Sequence, residues 1–138
     1  MINIHFLQVS VFLIFFNYLK LSKKVKKNKY EKLIQIMLGL TFVSGLLFWN
    51  NPVKFNFFHI FDKFNFVILL ALLNIYFFFI KKNVSKIKLT ISAILLNITT
   101  FISFKNRTNS IRWLSQNHLY YQFFLHLFSN LSIYHFLN

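Results

Sequence analysis

Five histidines, two acids and no cysteine are all that this 138-residue chain offers to metal, acid–base or nucleophilic chemistry. Without a thiol there is no disulfide framework, thiolate nucleophile, cysteine zinc site or iron–sulfur cluster to consider. His118, His126 and His135 fall on one expected helix, but separations of eight and nine residues place them about 80° and 180° apart on a helical wheel. Axial haem ligation in a membrane bundle usually draws histidines from different helices onto one plane, and a metal site needs several convergent ligands. The histidines therefore read as interfacial residues, and no metal or cofactor is expected. His59 and Asp62, at i and i+3, could form an orienting pair, yet both fall in an expected loop after Pro52. No nucleophile–base constellation appears, and two glycines cannot build a Gly-rich phosphate loop. No catalytic residue is assigned, and the chain by itself is not expected to be an enzyme.

The other chemically loaded stretch is cationic. Lys20, Lys23, Lys24, Lys26, Lys27, Lys29 and Lys32 crowd into thirteen residues with Glu31 as the single acid among them. With sixteen Lys+Arg against two acids and a formal charge of +14, nucleic-acid binding must be weighed. Single-stranded nucleic acid is gripped by aromatics interleaved with charge, and only Tyr30 stands in this run. The basic residues also do not form one stripe. They sit in short clusters between apolar segments of bilayer-spanning length, a membrane pattern in which lysines set topology and attract anionic headgroups at about 1 kcal/mol each. Nucleic acid is not the expected partner; anionic lipid is.

The elements that must position these residues follow from hydropathy. At 57% hydrophobic residues the chain is too apolar to offer water a polar surface. Five helices are expected, at about 2–19, 33–49, 64–80, 87–104 and 114–137, making one membrane domain over 1–138 with short connections. The third could begin as early as Phe55. The first span carries no lysine or arginine at its start and no small-x-small site after it, so a cleavable secretory signal is not expected. Asn50-Asn51-Pro52 ends the second span. Gly39 and Gly45 thin that helix locally, and Thr41 with Gly45 makes only a weak small-xxx-small pair. No period-two alternation of the kind a membrane β-barrel needs dominates, so the fold class is all-α, a polytopic integral membrane protein.

The last helix is periodic rather than uniformly apolar. Ser115, His118, Gln122, His126, Ser129 and Ser132 share one side, with Tyr120, Phe124, Leu131 and Tyr134 largely opposite. Lacking lysines on its polar side, it is expected to pack that side on protein rather than lie in the interface. His118, Gln122 and His126 are thus assigned to helix packing, as are Asn74 and Asn97, whose amides within spans are expected to bond neighbouring helices, as is that of Asn17. Both acids are placed at loops and no lysine or arginine in mid-span, which argues against a self-sufficient transporter or proton pump.

Counting lysine and arginine by alternate loops gives eleven on the side of residues 20–32 and five on the side of the N-terminus. By the positive-inside rule the lysine loop faces the compartment of synthesis.

Phe, Tyr, Met, Ile, Asn and Lys make up 74 of the 138 residues, and Gly, Ala, Arg and Pro only seven. The first group has AT-rich codons. In this the whole chain resembles the small membrane subunits encoded in the AT-rich mitochondrial genomes of protists such as ciliates. An apolar segment beginning at Ile2 leaves no room for a transit peptide, which agrees with synthesis inside the organelle. Five spans in a short chain look like subunit six of NADH dehydrogenase, without that family's glycine-bearing third helix. Arg112-Trp-Leu-Ser-Gln-Asn117 with His126-Leu127 faintly resembles the arginine helix of ATP synthase subunit a. The resemblance implies a non-catalytic structural or assembly subunit of a respiratory-chain complex or ATP synthase in the mitochondrial inner membrane, packed on other membrane subunits and on lipid such as cardiolipin. The alternative is a small transporter or channel-like protein of an AT-rich bacterium or parasite.

Overall fold

A computed structural model describes residues 3–138. Five α-helices are present: α1 (Ile4–Ser22), α2 (Lys29–Asn50), α3 (Phe57–Ile75), α4 (Lys86–Asn109) and α5 (Gln116–Leu137). A single π-helical turn, Tyr76–Ile80, prolongs α3. The all-α expectation holds, and no strand occurs among the described residues. Four helices, with α3 counted through its π turn, are long and apolar enough to cross a bilayer; α5, with its polar side, is not among them. The expected start of the first helix at Ile2 lies outside the described residues.

Each helix begins at a polar side chain that accepts the backbone N–H three residues on: Asn3, Asn28, Asn56, Ser85 and Ser115 bond Phe6, Glu31, His59, Lys88 and His118. Such caps satisfy donors that the first turn leaves unpaired. They also shift boundaries. Asn28 and Glu31 form a reciprocal capping box, so α2 starts at Lys29 rather than near 33. Asn56 starts α3 at Phe57, seven residues before the expected 64 and close to the earlier limit at Phe55.

The helices lie in the spatial order α3–α2–α1–α5–α4, since α1 packs on α2 and α5, α2 on α3, and α5 on α4. Phe15 of α1 stacks on Phe42 of α2 with ring centres 4.8 Å apart, and Phe77 of the π turn stacks on Phe136 of α5 at 4.9 Å. Gly45 lets α1 approach: a Cβ there would stand 3.1 Å from Val11 Cγ1. This glycine is therefore a packing contact, more than a thinned helix face.

Polarity is distributed inside out relative to a water-soluble bundle. Ser10, Asn17, Ser44, Thr99, Ser129 and Ser132 are buried, while Phe6, Phe12, Phe16, Phe64, Phe101 and Phe104 point outward. An apolar rim around a partly polar seam is the arrangement a hydrocarbon solvent favours, because apolar side chains cost nothing there and polar groups need protein partners.

Candidate functional site

The seven lysines of residues 20–32 do not act as one patch. Lys20 and Lys29 have become part of α1 and α2, and Lys32 lies one turn into α2. Lys20 Nζ sits over the Tyr134 ring at 3.7 Å, Lys24 pairs with Glu31, and Lys27 donates to the carbonyls of Ser22 and Lys24 at 3.0 and 2.8 Å. Lys23, Lys26, Lys29 and Lys32 are exposed. These four are exposed to meet a headgroup, Lys29 with its Nζ also 5.1 Å from the Tyr30 ring centre.

Glu31 is a correction to the sequence reading. It is buried rather than a loop acid, and it receives the Lys24 ammonium, the Asn28 backbone N–H at 3.1 Å and the Tyr76 hydroxyl at 2.7 Å. A carboxylate with three donors is a structural knot that ties the lysine loop to the π turn. Beside it, Lys81 donates to the Phe136 carbonyl at 3.2 Å. Burial, with Lys88 next, pushes the Lys81 ammonium down to about 8.

The second acid is misplaced by the sequence reading in a more consequential way. Asp62 lies in the second turn of α3, accepting from Ser44 of α2 at 2.9 Å, and it lines a cavity of about 660 Å³. His59 does not orient it. Instead His59 Nδ1 accepts the Phe55 N–H at 2.9 Å, and His118 Nδ1 accepts the Leu114 N–H at 3.1 Å. Phe55 and Leu114 both hold positive φ, 63° and 59°. One device is therefore used twice: a left-handed residue, a polar N-cap and a histidine three residues beyond the cap that returns to bond the strained residue. Both rings are buried in the protein and lie against Trp113 at 5.2 and 4.7 Å. An acceptor Nδ1 leaves the proton on Nε2, so both are neutral imidazoles in this arrangement.

The packing polar residues divide. Ser10 Oγ lies 2.6 Å from His126 Nδ1, Gln122 Nε2 lies 3.1 Å from His126 Nε2, and Asn106 donates to Gln122 Oε1 at 2.6 Å. This chain joins α1, α5 and α4. Asn17 likewise donates to the Asn130 carbonyl and Oδ1, both at 3.2 Å. Asn74 and Asn97 do not bond a neighbouring helix: each donates to its own helix four residues back, to Leu70 and Ala93 at 2.8 Å, and Asn97 is exposed. A short amide in mid-helix reaches the i−4 carbonyl before it reaches anything else. Arg112 lies in the turn between α4 and α5.

The cavity is the feature sequence reasoning missed. α3 and α4 flank it without packing along their lengths, and α1, α2 and α5 form its floor. At one end Phe77 and Phe136 close the bundle. At the other, Lys54 donates to the Ser110 carbonyl at 2.8 Å and the Trp113 indole to the Pro52 carbonyl at 3.2 Å, strapping the two loops together. Between these closures it opens sideways, past the exposed Val67 and Ser103. Lys54, Lys63 and Arg107 line it with Asp62 as the single acid, and Trp49 keeps a buried indole N–H without an acceptor. No group of three histidine or acidic side chains able to hold a metal occurs among the described residues.

No protein-family model matches this sequence, and no characterised protein or solved structure is significantly similar to it. Fold and surface together define a helical bundle of the membrane type, compatible with a multi-pass protein.

Proposed function

We propose that the chain is a non-catalytic structural or assembly subunit of a mitochondrial inner-membrane complex, a respiratory-chain enzyme (NADH dehydrogenase or cytochrome oxidase) or ATP synthase. It packs on neighbouring membrane subunits and holds anionic lipid such as cardiolipin at Lys23, Lys26, Lys29 and Lys32. The observation that carries this reading is the outward side of α4. This 24-residue helix buries only Ser92, Thr99 and Ile102 and leaves Asn97 exposed near its middle. One amide proton of Asn97 meets Ala93, but its Oδ1 has no partner among the described residues, and an unmet acceptor in hydrocarbon costs several kcal/mol. A polar group on an adjacent subunit's helix would meet it. The AT-rich composition supports the organelle assignment.

A photo-cross-linking residue in place of Asn97 tests this in native membranes. The expected product is a discrete adduct with one membrane protein; labelling of lipid alone would count against a partner at this face.

The cavity favours one other reading, a small transporter, because Asp62 and Lys63 lie on α3 rather than in a loop and line the cavity. Anion or proton flux by the isolated chain in vesicles, abolished by Asp62→Asn, would replace the subunit reading; the subunit reading expects none.

A further inference from the structure

We propose that the cleft between α3 and α4 is a binding site for an anionic amphiphile, with its acyl chain against Val67 and Phe66 and its phosphate or carboxylate between Lys63 and Arg107. The proposal goes beyond the subunit reading and does not depend on which assembly holds the chain.

Charge is the first argument. Three cations and one carboxylate line the cavity, so it carries a formal excess of two positive charges. Asp62 is already engaged by Ser44 at 2.9 Å, and Lys54 by the Ser110 carbonyl. Among the described residues the Lys63 ammonium and the Arg107 guanidinium have no hydrogen-bond partner and no carboxylate at ion-pair distance, Lys24–Glu31 being the only ion pair. Lys63 and Arg107 are both exposed on the cleft's open side, and guanidinium presents a fork matched to phosphate or carboxylate. The unpaired indole N–H of Trp49 is a further donor in the same cavity.

Shape is the second. The cavity is bounded at both ends yet open sideways, so a ligand enters from the bilayer rather than from water. Val11, Ile14, Phe66, Val67 and Leu125 supply apolar wall, which a free inorganic anion would not need. Lys63, in the second turn of α3, and Arg107, in the last turn of α4, stand toward the same end of the bundle. This is the opposite end from residues 20–32, so the site is separate from the lysine loop.

The test uses the full chain in phosphatidylcholine vesicles doped with a phosphatidic acid that carries a diazirine on its acyl chain. Adducts are expected on α3 and α4 peptides containing Phe66, Val67 and Ser103, to fall at least about fivefold in Lys63→Gln/Arg107→Gln, and to persist in Lys23→Gln/Lys26→Gln. Val67→Trp fills the apolar wall and leaves the cations; it should also abolish the adducts while circular dichroism stays unchanged. Unlabelled fatty acid or phosphatidic acid should compete, and millimolar inorganic phosphate should not. Labelling spread evenly over the outer faces, or indifferent to the double substitution, would overturn the site. Competition by phosphate with no effect of Val67→Trp would make it a simple anion site and overturn the acyl chain's part.

Discussion

His59 and His118 hold their loops by a bond that only a free Nδ1 can make. The left-handed conformation at Phe55 and Leu114 costs a non-glycine residue about 1–2 kcal/mol, and the imidazole acceptor offsets part of it. Replacing His118 by Phe keeps an aromatic ring against Trp113 but removes the acceptor, and should destabilise by about 1 kcal/mol in reversible unfolding in detergent. Leu114→Gly in that background should return part of the loss. Lys81 makes a pH-dependent contribution. Its value of about 8 lies below the unfolded value of about 10.4, so the unfolded chain binds the proton more tightly. The associated stability is complete above about 10.4 and is lost as pH falls through about 8. Unfolding followed at pH 7 and pH 10 should show this gain in the wild type and a smaller one in Lys81→Met.

At the scale of helices, the two glycines of α2 give opposite expectations. A Cβ at Gly39 meets only the Tyr18 ring, at 3.6 and 3.8 Å, an ordinary contact. Gly39→Ala should therefore stabilise by about 0.5–1 kcal/mol, the usual gain of alanine over glycine within a helix. At Gly45 the new methyl would press on Val11, whose χ1 is stiff in a helix. Gly45→Ala should destabilise, and Val11→Ala should relieve it in a double-mutant cycle. The existence and number of the helices were legible because lysine-bounded apolar runs of bilayer length have few other solutions. Their starts were less so, since Asn28 and Asn56 look like any of fifteen asparagines until a backbone N–H is seen to meet them. Asp62 was read as a loop acid because Pro52 and Lys63 flank it. The repeated spacing of Phe55, Asn56 and His59 with Leu114, Ser115 and His118 was a readable signal, whereas the cavity was not: it arises from which helices fail to touch, and periodicity says nothing of that.

The molecule as a whole has two chemically different ends. The end holding Ser22, Lys29, Ile80 and Lys86 is tied by Glu31, Tyr76 and Lys81, and it carries the exposed lysines. The other holds Lys54, Arg107 and the two loops strapped together by Lys54 and Trp113. With no native cysteine, Val25→Cys and Ile111→Cys, at 96% and 81% exposed positions, give clean reporters of orientation. An impermeant maleimide should label Ile111→Cys from the face of the N-terminus and Val25→Cys only after the membrane is opened, as the eleven-to-five lysine and arginine bias requires. As a proposed subunit, this bundle would complete itself against other membrane subunits. Native membranes solubilised in mild detergent, separated on a native gel and analysed band by band by mass spectrometry test this most directly. The chain should migrate with a respiratory or ATP synthase assembly many times its own 16.7 kDa; a small band containing this chain alone would contradict the account.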